Sequence, residues 1–272
     1  MTCIRRLVAA TLLFGMASGC ASLHERHIRH EVERRYCVFP EDDVSGQLTI
    51  RRLEEVSAMG EPGRRALLSL ARTPKTEGCG IYFLAMLGDA RVTALLRQIL
   101  VATGSSAERR SSAIAHLGGF HDTTSLDVVA PWCDSSDRML SDACLQYLGL
   151  IDDVRARHQL MLLLEKPGHA SVASVIDAIG RQRDVSAVPR LIAMSGTAPE
   201  GLQRRIAVAL AEIGSSDAVN ASERLVRAAT GISRHNVITE IVSKLTAQLE
   251  NPAADMTRIR ADIDRFEKLR QP

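Results

Sequence analysis

Six times along the chain an apolar residue, two variable positions and a second apolar residue are followed directly by glycine. The phrase reads Val56-x-x-Met59-Gly60, Leu84-x-x-Leu87-Gly88, Ile114-x-x-Leu117-Gly118, Leu145-x-x-Leu148-Gly149, Ile176-x-x-Ile179-Gly180 and Leu210-x-x-Ile213-Gly214. Apolar residues three apart share one face of a helix, and glycine enters the left-handed conformation that ends a helix without a Cβ clash. Each phrase therefore predicts the end of a first helix. The glycines recur at intervals of 28, 30, 31, 31 and 34 residues, the length of a helix, a turn, a second helix and a connection that marks an α-solenoid.

A carboxylate follows the glycine within four residues in five of the six units: Asp89, Asp122, Asp152 or Asp153, Asp184 and Asp217. An aspartate there caps the exposed amides that open the next helix. Second helices are predicted through Val92 to Leu100, Leu126 to Trp132, Leu160 to Leu164, Val188 to Met194 and Val219 to Val226, with Pro189 tolerated in a first turn. The stretches Ile179 to Ile192 and Leu210 to Asp217 resemble HEAT repeats of the short, bilin-lyase-like type. The likeness covers Asp43 to Arg227 and is weakest in the first unit, where Pro62 stands in place of the acid. It implies an all-α, right-handed α-solenoid of about six helix pairs. Two further amphipathic segments, one carrying Ile232 to Leu249 and one Met256 to Leu269, read as a terminal cap over the last repeat.

Ahead of the repeats, Met1 to Cys20 has the order of a bacterial secretory signal: Arg5-Arg6, an apolar run from Leu7, and Met16-Ala-Ser-Gly-Cys20. Its ending resembles the lipobox of bacterial lipoproteins, with Ala17 where leucine is most common, which implies lipidation of Cys20. Ordinary cleavage near Ala21 is the alternative. Ala21 rather than aspartate after the cysteine implies sorting to the outer membrane. The expected organisation is a signal peptide over 1–19, a polar tether over 20–42, the repeat array over 43–230 and capping helices over 231–272.

Composition changes this picture little. Hydrophobic residues are 46% of the 272 and aromatics only 3%, so the core must be aliphatic, as closely stacked helices require. The formal charge of +2 falls to zero once Arg5 and Arg6 leave with the signal, so a polyanion such as nucleic acid is not an expected partner. No G-x-S-x-G, H-E-x-x-H, Walker or C-x-x-C pattern occurs. HEAT-like iron hydroxylases place His-Glu pairs inside several repeats, whereas His24-Glu25 and His30-Glu31 here precede them all. No enzymatic activity and no cofactor are therefore expected. His24, His27, His30 and Glu31 form a weak metal-ligand candidate whose alternative is a solvated, charged helix.

With Cys3 in the signal and Cys20 lipidated, Cys37, Cys79, Cys133 and Cys144 remain, an even number in an oxidising compartment. Cys133 closes a second helix and Cys144 lies on the next first helix, so a Cys133–Cys144 bridge is expected, with Cys37–Cys79 tying the leader to the first repeats; four buried thiols are the alternative. In stacked helix pairs the second helices line the concave side. Arg97, His158, Arg190 and Arg224, one on each of four such helices, are thus the candidate partner-binding residues, with guanidinium suited to carboxylates. Arg109, Arg110, Arg204 and Arg205 fall on the opposite face. The sequence reads as an exported, lipid-anchored, non-catalytic scaffold that binds a protein or peptide in the cell envelope. An envelope enzyme or metal-binding accessory factor using the histidine-rich leader is the alternative.

Overall fold

The structure is a computed structural model that describes residues 25–35, 37, 47–73, 75–166, 172–251 and 254–270. The side chains of 47–50, 231 and 232 are not described. Residues 1–24, on which the expected signal peptide, the expected lipidation site Cys20 and the ligand candidate His24 fall, thus lie outside the described residues. Among those that are described, every regular element is a helix. Residues up to Gln98 form one compact unit and residues from Ile99 onward a second. Both are stacks of antiparallel HEAT-like helix pairs, the architecture of an α-solenoid.

The first unit holds α1 (25–35), α2 (Gln47–Ala58), α3 (Gly60–Ala71), α4 (Glu77–Met86) and most of α5 (Val92–Val101). Its core joins Val32 of α1 to Val56, Leu67, Leu70, Phe83, Leu84 and Leu96, all fully buried. Helices α3 and α4 touch at Gly80, where an added Cβ would stand 2.3 Å from the Ala71 amide nitrogen. Cys37, just past α1, is bonded to Cys79 of α4.

The second unit holds α6 (Ala107–Gly119), α7 (Leu126–Val129) continued by a 3-10 turn to Asp134, α8 (Arg138–Leu150), α9 (Val154–Glu165), α10 (Val172–Gln182), α11 (Val188–Ser195), α12 (Glu200–Ile213), α13 (Ser216–Ala228), α14 (Gly231–Gln248) and α15 (Met256–Lys268). First helices α6, α8, α10, α12 and α14 pack in sequence, each on the next. Because α12 has neighbours on every side, its run Ile206 to Ile213 is buried without a break, as a helix enclosed all round should be. Cys133, at the end of the 3-10 turn, is bonded to Cys144 of α8.

The recurring glycines take two different roles, where the sequence pattern predicts one. Gly88 and Gly214 are left-handed and end their helices (φ +62° and +71°), as expected. Gly118, Gly149 and Gly180 lie inside α6, α8 and α10. There they let the next first helix approach: an added Cβ would stand 3.2 Å from the Tyr147 Cα, 3.1 Å from the Ala178 Cα and 2.9 Å from the Ala209 Cα respectively. In two of these units the left-handed residue comes three positions later and is not glycine: His121 and Arg183, each with φ +52°. At Gly88, His121 and Arg183 the stop is the same hydrogen-bonded closure, with the Asp89 amide donating to the Leu84 carbonyl, Asp122 to Leu117 and Asp184 to Ile179, whereas at Gly214 its own amide donates to the Leu210 carbonyl.

The aspartates after these stops cap as predicted. Asp89, Asp122, Asp153 and Asp184 each accept a hydrogen bond from the backbone amide two residues on. The last pair departs from this: Ser215 caps α13 through the Ala218 amide, and Asp217 merely lies in the first turn. Open helix ends are closed by the neighbouring unit. Gln182 donates to the Leu148 and Ile151 carbonyls, His121 Nδ1 lies 2.7 Å from the Leu150 carbonyl, and Arg258 donates to the Gly214 carbonyl.

Candidate functional site

Helix α9 buries Ala156, Leu160, Leu163 and Leu164 and turns the opposite stripe, Val154, His158 and Leu162, to solvent. These three fall at i, i+4 and i+8, so they form one row. Val154 is 69% exposed and Leu162 51%. Isolated exposed apolar residues are ordinary, but here the row borders a cleft. Between α7 and α9 lies a hollow of about 450 Å³ walled by Leu126, Ala130 and Val154 on its apolar side and by His158 and Gln159 on its polar side. Val185 repeats the pattern in the next unit: like Val154 it directly follows the capping aspartate, and it is 56% exposed.

Arg155 closes one end of the hollow and is held in place. It donates to Asp153 at 2.8 Å and pairs with Asp127 of the preceding unit at 3.4 Å. The hydrogen bond from Arg155 keeps the Asp153 carboxyl below the usual carboxylate range. In the first unit Arg91 bridges Asp89 and Glu61 in the same way, both at 2.6 Å, and the Arg91 hydrogen bond lowers the Asp89 carboxyl likewise. Both arginines are tied to carboxylates of the scaffold.

The four predicted partner-binding residues differ from one another. His158 is exposed beside the hollow. Arg190 on α11 and Arg224 on α13 are exposed, with no ion-pair or hydrogen-bond partner among the described residues. Arg97 is half-buried and engaged in an interaction, and so is not the solvent-facing cation the pattern suggested. On the first helices Arg205 pairs with Asp177, Arg204 lies 3.6 Å from Glu240, and Arg110 covers the half-buried Trp132 ring at 5.0 Å. Trp132 is therefore occupied within the fold. The periodicity misses Val154, Leu162 and Val185. Their signal lies in the valine directly after the Asp153 and Asp184 caps and, for Val154 and Leu162, in the i, i+4, i+8 spacing on α9.

Burial moves two other ionisable groups. It pushes the Glu212 carboxyl up, against the opposing pull of Lys244 at 3.8 Å, and it lowers the half-buried His116 imidazole. Glu212 packs beside Gly180 on the first-helix row, away from the α7–α9 hollow. No group of three or more His, Cys, Asp or Glu among the described residues is placed to hold a metal ion. Of the leader candidates, His27 and His30 are exposed on α1 and Glu31 pairs with Arg35 at 3.2 Å.

No family model matches the chain, and no curated protein matches it. Among solved structures it is similar to human deoxyhypusine hydroxylase, in complex with glycerol, at 15% identity, with 92% of this chain and 97% of that chain covered and a TM-score of 0.33. That neighbour is an enzyme, and this corrects the expectation that the chain is none: the absence of catalytic activity is not carried further.

Proposed function

We propose that this chain is an exported, lipid-anchored protein of the short HEAT type that binds a protein or peptide partner along the second helices of its C-terminal unit, in the bacterial envelope. The observation that carries the reading is the solvent-facing row of Val154, His158 and Leu162 beside the hollow floored by Leu126 and Ala130. An apolar anchor flanked by a few polar groups is the usual composition of a recognition surface. The unpartnered Arg190 and Arg224 farther along the second helices favour a partner with carboxylates next to its apolar anchor. Export is supported by the signal-like Met1–Cys20 and by the two cystine pairs, which are characteristic of an oxidising compartment and rare in the cytosol.

A photo-crosslinking residue placed at Val154 or Leu162 is expected to give a discrete adduct in living cells, while the same residue at Arg109 or Arg204 gives none. Replacing His158, Arg190 and Arg224 together by alanine should abolish that adduct and leave the helical circular dichroism unchanged, because exposed substitutions usually stay within about 0.5 kcal/mol each. Adducts from the first-helix positions alone would sink the assignment. As to the address, the unreduced mature protein treated with an alkylating agent is expected to show Cys37, Cys79, Cys133 and Cys144 all unmodified. Four alkylated cysteines would refute the oxidised, exported state.

A further inference from the structure

The first unit carries a second surface that the partner-binding reading leaves unused. A cleft of about 380 Å³ between α1 and the face of α3 is lined by Arg26, Arg29, Arg65 and Arg72 together with the carboxylate of Glu25. On α3 the arginines and Ser69 fall at i, i+4 and i+7, so they share one face. Two of the four cations are accounted for by the fold. Arg65 pairs with Glu25 at 3.3 Å and Arg29 donates to Thr73 Oγ1 at 3.0 Å, contacts that dock α1 onto α3. Arg26 and Arg72 are exposed and have no partner among the described residues. Arg65 also lies 3.8 Å from Glu61, so two carboxylates face four arginines and the positive excess rests on Arg26 and Arg72, an arrangement that favours an anion.

Guanidinium matches the oxygens of a phosphate in pairs, and several arginines around one concavity recognise phosphate better than they do a lone carboxylate. Position selects the source of that phosphate. The first described residue of α1 lies five positions after Cys20, and five residues of chain reach at most about 18 Å. If Cys20 carries lipid, the cleft is confined to the neighbourhood of the bilayer surface, and little of its charge is lost to screening there. We propose that this cleft receives the phosphate of an anionic phospholipid headgroup, so that the N-terminal unit lies against the membrane and adds a second contact to the acyl anchor. The proposal rests on the reading of Cys20 as the lipidation site and is independent of the second-helix partner surface.

The test uses the full mature chain with Cys20→Ser, so that no acyl chain contributes, and vesicles of phosphatidylcholine alone or of phosphatidylcholine and phosphatidylglycerol in equal parts. The protein is expected to cosediment with the anionic vesicles only. The double variant Arg26→Gln/Arg72→Gln should partition about thirty-fold more weakly, about fivefold for each arginine near the surface, with unchanged circular dichroism. Arg190→Gln/Arg224→Gln removes the same charge elsewhere and should leave binding intact. Equal binding to both vesicle types, equal losses in the two double variants, or release by inorganic phosphate where sodium chloride of the same ionic strength does not release, would each overturn the headgroup site, the last by showing a site for free phosphate. Fatty-acid labelling of the wild-type chain tests Cys20 separately, and the Val154 adduct reports on the partner surface, so failure of one is distinguishable from failure of the others.

Discussion

Replacing Gly180 by valine is expected to lower the stability of the C-terminal unit by about 3 kcal/mol, the upper part of the range for overpacking a tight interior. The reason is distance. A Cβ at this position would stand 2.9 Å from the Ala209 Cα and 2.8 Å from a Glu212 carboxylate oxygen, closer than real Cβ atoms come to such neighbours. One contact is backbone, so α10 and α12 must separate, and every first helix stacked beyond them would follow or lose packing. The Glu212 oxygen is the far end of a side chain and can turn aside, so the contact with the Ala209 backbone decides the outcome. Helix propensity works the other way, because glycine inside a helix is about 1 kcal/mol worse than alanine. A paired measurement separates the two effects. Gly201, in the first turn of α12, has nothing within 4 Å of an added Cβ, so Gly201→Ala should be neutral or stabilising, whereas Gly180→Ala should be destabilising despite the same gain in propensity. Chemical denaturation of the three variants reads this directly. If Gly180→Ala and Gly201→Ala shift the midpoint equally, the close approach of the helices is not what holds the stack.

That contrast also shows how far the amino-acid pattern reaches. The all-helical fold, the pairing of helices and the six-unit register follow from apolar spacing, which depends only on which face of a helix is buried. The role of each glycine does not follow, because two unrelated demands select the same residue. Gly88 and Gly214 serve left-handed backbone, while Gly118, Gly149 and Gly180 serve interhelix contact, which is set by neighbours about thirty residues away. The feature that truly recurs is a left-handed residue followed by a cap: Gly88-Asp89, His121-Asp122, Arg183-Asp184 and Gly214-Ser215. Arg183 hides it, since nothing in its residue type announces a positive φ, and His121 announces it only weakly. The site was less legible than the fold. A cation on a second helix can still be engaged, as Arg97 is, and a valine can be exposed, as Val154 is, because exposure depends on what the adjoining helix leaves uncovered. The arginines of the first-unit cleft are distributed over two helices more than thirty residues apart and become one feature only when α1 docks on α3.

The other large effect is expected at the C-terminal cap. A helix stack leaves its last apolar face open unless a terminal element covers it, and α15 with its C-cap does so through Ile259, Ile263, Phe266 and Leu269, set against Val237, Ile238, Ile241 and Leu245 of α14 and Val219 and Val226 of α13. Phe266 is fully buried and is among the largest side chains that are. Phe266→Ala is therefore expected to cost about 3–5 kcal/mol, the loss of transfer energy plus the cavity left behind. The polar ties of α15 cannot make this up. Arg265 bonds to Asn220 at 2.8 Å and pairs with Glu223, but its side chain is 40% exposed, and such pairs contribute about 1 kcal/mol at most. The variant should then release α15 before the rest of the stack unfolds, baring the apolar stripe of α14. Two readouts check this: a lowered thermal midpoint, and binding of a hydrophobic dye below that midpoint which wild type does not show. Arg265→Ala should lower the midpoint far less and bind no dye. An unchanged midpoint in Phe266→Ala, or equal effects of the two substitutions, would mean that α15 is held by its charged rim rather than by its buried face.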